Sequence, residues 1–383
     1  MVGMSTRVAG IAAGLGLAGI LSLAVSGITH DRVREKMRAQ LLIARDIPAL
    51  VADPKSAQAA AAQQRRRDEL ARELTELYRA AGAINRREPL LVNVFPIGGP
   101  PYLRVRFVEL YRDAIADLLG QLRADGLPTE AERATARQDL AERDALRREK
   151  VEEAGAPWTA PAGRRGVGET NRVLQYAQAE KARRLWCYAT AEAFQRCPSR
   201  PGTGAPRVEE LWFAQVELWI QQDVVAAIAE MNEEAAGAYG KGACVEQMPV
   251  KRIWSVFVLG YQLEDGLLPF QVPSASRPAR RVAVPVSFTG RTCDGEFDVV
   301  VFQMAVVMDQ RDVLQLIDRI VKRNFCQCTA VKCAAVPPSA AADGYLYGTQ
   351  PAMCVGLEFE LYMWREIYGP LMPAGVRQML DSE

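Results

Sequence analysis

A run of 21 uncharged residues, VAGIAAGLGLAGILSLAVSGI from Val8 to Ile28, constrains this chain more than any other feature. As a helix it measures roughly 31 Å at about 1.5 Å per residue, the thickness of a bilayer's hydrocarbon core. Residues 1–30 are therefore predicted to be a transmembrane signal anchor. Within the run, GLGLAG (Gly14–Gly19) has dinucleotide-binding spacing but lacks the preceding strand which that motif needs. Gly10, Gly14 and Ala18 read instead as a small-residue stripe along which a second membrane helix approaches closely. Arg32, Arg34, Lys36 and Arg38 follow the span, against Arg7 before it, which by charge alone would hold the C-terminal side inside. Long domains translocate largely regardless of that bias. The expectation is thus a single-pass inner-membrane protein with a periplasmic body. The alternative is cleavage near Ala24-Val25-Ser26, giving a secreted or surface-attached binding protein.

Composition narrows what the body does. Across 383 residues, 47 Lys+Arg balance 46 Asp+Glu, so no basic face for nucleic acid is expected. The one histidine, His30, removes His-dependent triads, His-ligated metals and His acid–base catalysis. Lys241 in GAYGKGA lacks the first glycine and the following Ser/Thr of a phosphate loop. Glu358 and Glu360 share one face of a strand and read as its solvent side. Cys326-x-Cys328-x4-Cys333 lacks the spacing of a zinc knuckle. The chain reads as non-enzymatic, with no cofactor, no metal and no small-molecule substrate.

Residues 31–166 are expected to be a helical stalk region. Leu70, Leu74, Leu77, Ala81 and Ile84 step by four and three, a short heptad seam that would pack against a neighbouring helix of the same chain. PLLVNVFPIGGPPY (89–102) reads as a short strand and turn, and Phe107, Leu110, Ala114, Leu118 and Leu122 as the next apolar stripe. Thr129 and Glu132 form a capping-box start to a helix with 14 charged residues in the 25 from Thr129 to Glu153. Residues 155–169 are a linker by composition, and residues 167–236 a helical lead-in pair in which Trp186, Trp212 and Trp219 are core.

From residue 250 the apolar period changes from 3.6 to 2, and residues 237–383 read as an α+β domain. With the helix before it, the order is α-β-β-α-β-β, a two-layer arrangement of helices on an antiparallel sheet. Phe297–Met308, apolar on both faces, is placed centrally. The last two strands should pair about a turn near Asp343-Gly344. That register sets Cys333 opposite Cys354, a candidate disulfide, and turns Cys326 and Cys328 inward near Leu361 and Phe359.

An N-terminal span, a helical stalk and this C-terminal unit together resemble the PilO/GspM-type inner-membrane platform proteins of type IV pilus and type II secretion systems. Locally the resemblance rests on LWFAQVELWIQQDVVAAIAEMN (211–232), FDVVVFQMAVVMD (297–309) with LQLIDRIVKRNF (314–325), and YGTQPAMCVGLEFEL (347–361). It implies a circularly permuted ferredoxin-like domain that pairs with itself or with a sister envelope protein, and it carries over no catalytic residue. The helical region between about 85 and 205 is longer than such a stalk needs.

Overall fold

The computed structural model describes residues 57–154, 167–194, 204–270, 289–337 and 343–381. The expected span Val8–Ile28, with Gly10, Gly14 and Ala18, lies outside them. Among the described residues no helix is long and apolar enough to cross a membrane. The chain divides into two compact units, residues 1–83 with 287–291, and residues 84–286 with 292–383. The expected boundaries at 166/167 and 236/237 both fall inside the second unit.

The first unit's described part is essentially helix α1, Ala57–Asn85, whose last two residues belong to the second unit. Its seam does not pack as expected: Leu70, Leu74 and Leu77 are 43, 40 and 52% exposed. The spacing is that of a coiled-coil stripe, but no described neighbour covers it.

In the second unit, residues 89–100 form turns rather than the expected strand, with a cis Phe95–Pro96 bond. Asn93 and Gly98 both sit at positive φ, and a Cβ on Gly98 would meet Val208 at 2.9 Å. These turns lead into α2, Pro101–Gln121, which starts with proline at its first position, where the missing N–H costs nothing. The chain then runs through β1 (Ala124–Asp125), α3 (Glu130–Glu153), α4 (Val167–Arg184) and β2 (Cys187–Tyr188) to α5 (Val208–Tyr239). It continues through β3 (Val250–Leu263), β4 (Gly266–Pro269), β5 (Phe297–Asp309), α6 (Val313–Arg323), β6 (Cys326–Ala335), β7 (Ala352–Trp364), α7 (Arg365–Tyr368) and α8 (Ala374–Asp381). The protein is thus mixed α+β, with eight α-helices and one mixed sheet among the described residues.

α5 organises the core. It is buried on nearly every side, and Trp212, Val216, Trp219, Val224, Val225 and Ile228 all belong to one core. Trp212 packs edge-on against Phe95 at 5.4 Å and Trp219 at 5.9 Å, and donates its indole N–H to the Tyr261 hydroxyl at 2.9 Å. Phe107, Tyr111, Ile115 and Leu118 of α2 enter the same core, which is why a region expected as stalk is part of the domain. The buried polar residues of α5 serve backbone groups. Asn232 accepts from Val250 N–H and donates to its carbonyl, both at 3.0 Å, and Gln221 donates to Phe194 O at 2.8 Å. A buried amide that satisfies a strand's backbone in this way avoids the cost of orphaned donors.

A second polar knot surrounds Asn85. Its amide donates to Asn324 Oδ1 (3.0 Å) and Tyr362 O (2.8 Å) and accepts from Trp364 N–H (3.0 Å), while the Tyr368 hydroxyl donates to its carbonyl. Arg87 donates twice to Asp223 (2.7 and 2.9 Å), and Asn324 donates to the same carboxylate at 3.1 Å. Residues separated by more than 230 positions are thereby fixed to one another.

α3 and α4 form a charged arm. Thr129 and Glu132 make the expected capping box. Ala136, Val173 and Ala177 form the small buried cluster between the two helices. Lys181 bridges Asp125 (2.5 Å) and Glu132 (2.6 Å), and Arg172 grips Asp144 with two bonds of 2.6 and 2.7 Å.

The sheet runs β1-β2-β3-β5-β7-β6, with β4 pairing β3. β1, β2 and β3 are parallel neighbours, and β3, β5, β7 and β6 are antiparallel. α5 and α6 pack on one face against Val300, Phe302, Met304, Leu357 and Phe359. β5 is central, as its two apolar faces predict.

The β6–β7 register corrects the proposed disulfide. Cys326 pairs with Leu361 and Cys328 with Phe359, as expected, but Thr329 is an extra residue and Ala330 then takes the place opposite Glu358. Thr329 holds this bulge by donating its hydroxyl to Glu358 O at 3.2 Å. One inserted residue shifts all later pairs, so Cys333 lies opposite Val355 and Cys354 opposite Ala334. Side chains alternate along a strand, so Cys333 and Cys354 point to opposite faces and both are free.

Candidate functional site

The face of the sheet away from α5 and α6 carries the most site-like arrangement among the described residues. Strand pairing lines up its side chains in rungs. The middle rung is Ser255–Ala305–Gly356–Lys332, small side chains ending in one lysine. On one side of it stands Phe257–Gln303–Glu358–Ala330, and on the other Arg252–Val307–Cys354–Ala334. A row of small residues between two rows of larger ones makes a shallow trough running across the strands, with a recess of about 130 Å³. Its wall is fixed by Gln303, which donates to Glu358 Oε2 at 2.6 Å.

At the β3 end the trough meets an aromatic frame. Loop residues 343–351 fold back so that Tyr345 and Tyr347 lie parallel, their centroids 6.2 Å apart, and both meet Tyr188 edge-on. Gly344 makes this fold possible. Its φ is +97°, and a Cβ there would collide with Gln178 at 1.9 Å. The Arg252 guanidinium lies 3.6 Å over Tyr345 and 5.2 Å from the Trp254 ring. Its one hydrogen bond is a long 3.4 Å contact to the Tyr347 hydroxyl, and it has no acid partner among the described residues. A second recess of about 290 Å³ opens beside it, walled by Gly126, Thr190, Glu192, Trp254 and Tyr345. Burial raises the Tyr347 hydroxyl above its ordinary range despite the neighbouring guanidinium.

The other titratable groups serve structure. Lys251 is fully buried, donates to Glu246 O and Met248 O at 2.9 Å each, and pairs with Asp309 at 3.0 Å. Asp298 is buried beside Arg365 (2.7 Å), which also holds Asp381 (2.6 Å) and so ties α8 to β5. Burial pushes Asp298 up to about 6 although Arg365 opposes it. Glu360 is not on the solvent side as expected; it is buried and accepts from the Tyr362 hydroxyl at 3.0 Å. Cys354 borders the trough, its thiol raised by burial, while Cys333 is exposed on the other face. Among the described residues no three metal-ligating side chains converge.

Arg252 and Tyr345 escaped sequence reasoning because 93 positions (345 − 252) separate them. The local signal was the tyrosine pair of YLY after Asp343-Gly344.

No family model matches this chain, and no curated relative matches it. Among solved structures, it is similar to the crystal structure of a core domain from Akkermansia muciniphila, with a TM-score of 0.31 and 10% identity, covering 76% of this chain and 97% of that one. A second crystal structure from the same organism gives a TM-score of 0.24 and 11% identity over 69% of this chain and 95% of that one. Likenesses of this size assign neither a fold nor a family.

Proposed function

We propose that the protein is a non-enzymatic, single-pass scaffold of a type IV pilus or type II secretion-like assembly, acting by protein–protein association in the periplasm. Its partners are a second copy of itself or a sister envelope protein, and the membrane is engaged through Val8–Ile28. The strand order β3-β5-β7-β6, with α5 and α6 on one face, supports the reading, since a circularly permuted ferredoxin-like domain would have that order.

The observation that carries the reading is the β6 edge. β6 ends the sheet, so one side of its backbone lacks a strand partner among the described residues. Beyond the Thr329 bulge, Val331, Cys333 and Ala335 on the helix-side face are exposed. An exposed, weakly charged edge is a template for adding a strand. The test is sedimentation of the full chain in detergent. Self-association at micromolar concentration is expected, and Val331→Lys with Ala335→Lys should abolish it without changing the thermal midpoint. A full chain that stays monomeric and recovers no envelope protein from its own cells would overturn the scaffold reading. The trough beside Arg252 favours the second reading, a released binding protein, which intact mass separates because cleavage would remove about the first 26 residues.

A further inference from the structure

We propose that the sheet face opposite α5 and α6 is a docking groove for an extended acidic peptide, laid across the strands between Arg252 and Lys332. This goes beyond both readings by naming the chemistry of a partner, and it uses a different surface from the β6 edge.

Three features of the groove select that occupant. The first is shape. Ser255, Ala305 and Gly356 form a floor on which a chain can lie close to the sheet, while Phe257, Gln303 and Glu358 make a raised wall along one side. The second is charge placement. Arg252 and Lys332 lie on the two outer strands of the four, and neither has an acid partner among the described residues. Three strand spacings of about 4.8 Å and the one-rung offset between the two residues put their backbone positions about 16 Å apart, a gap their long side chains shorten. An extended peptide advances about 3.3 Å per residue, so carboxylates four residues apart span about 13 Å and reach both cations. The third is preorganisation. The Arg252 guanidinium is held 3.6 Å over the Tyr345 ring and 5.2 Å from that of Trp254, with one N–H on the Tyr347 hydroxyl at 3.4 Å, so the cation is positioned before a carboxylate arrives. The Gln303–Glu358 pair midway offers an acceptor for peptide N–H groups, which a phosphate or a purely anionic ligand would not use.

The experiment is fluorescence anisotropy on the full chain in detergent, with a labelled five-residue peptide bearing glutamate at its first and last positions. A control peptide carries glutamine at both. The glutamate peptide should bind at least about fivefold more tightly, with affinity falling as salt is raised. Lys332→Ala, at an exposed site that leaves folding intact, should weaken it by about fivefold, and Lys332→Glu by more. Arg252→Lys, which keeps the charge but loses the guanidinium, should weaken it likewise. Equal binding of the two peptides, no binding at millimolar concentration, or unchanged affinity in Lys332→Glu would overturn the proposal. So would tight binding of an N-acetylglucosamine oligomer in place of the peptide, which would make the aromatic frame a glycan platform. Because Val331→Lys and Ala335→Lys alter the opposite face of β6, loss of self-association and loss of peptide binding are read separately.

Discussion

The body around α5 and the arm formed by α3 and α4 belong to one compact unit, yet they are held by different physics. In the body, large apolar side chains interlock and buried amides saturate the backbone around them. In the arm, the apolar contact between the helices is a small cluster of Ala136, Val173 and Ala177, and the geometry is set by Lys181 between two carboxylates and by Arg172 on Asp144. Area burial is indifferent to ionic strength, whereas partly exposed ion pairs are screened by it. The body should therefore unfold as a single cooperative block, with the arm loosening first as salt rises.

The sharpest break in that comparison is Asn85→Ala. It removes the acceptor of Trp364 N–H and the donors to Tyr362 O and Asn324 Oδ1 in a buried site, and should cost about 3–5 kcal/mol in urea unfolding, at any salt concentration. A loss below about 1 kcal/mol would show the knot to be incidental. Asp298 comes next. Its folded-state value of about 6 lies above the ordinary carboxylate range, so its contribution is full below the unfolded value of 3.8 and is lost as the pH rises through about 6. The change is roughly 3 kcal/mol. Asp298→Asn should flatten the thermal midpoint over that window, and an unchanged slope would exclude Asp298 as its source.

Within the arm, Lys181→Ala should cost about 1–3 kcal/mol, because the ammonium is buried while its partners are partly exposed. Hydrogen exchange should show α3 and α4 opening without β3 or β5; simultaneous exchange of all four would merge the two regions. The smallest effect belongs to Asp144→Ala at about 0.5 kcal/mol, vanishing in 1 M salt. Persistence of the effect at high salt would mean packing, rather than charge, joins the arm's helices.

How far the sequence reveals this architecture follows the same division. The switch from period 3.6 to period 2 near Val250, the two-faced apolar run of β5 and the Thr129–Glu132 cap are local patterns, and each corresponds to an element in place. The inclusion of α2 in the core is not local. Its apolar stripe has the same spacing whether it faces another stalk helix or α5, and only the tertiary packing of Phe107 and Tyr111 decides. β1 and β2, two residues each, are too short for any periodicity. Glu360 looked solvent-facing because alternation tells which face a residue occupies but not what lies over that face. The aromatic frame around Arg252 depends on a loop returning across the sheet, which no window of sequence contains.

Thr329 shows how much one residue can decide. Had β6 continued in regular alternation past Cys328, Lys332 would turn to the helix-side face and Cys333 would stand beside Cys354, where a covalent bridge could form. With the extra residue, the lysine surfaces on the trough and the two thiols are separated by the sheet itself. The bulge thus works as a sidedness switch for the strand's last six residues, able to exchange a crosslink for a charge without altering any of them.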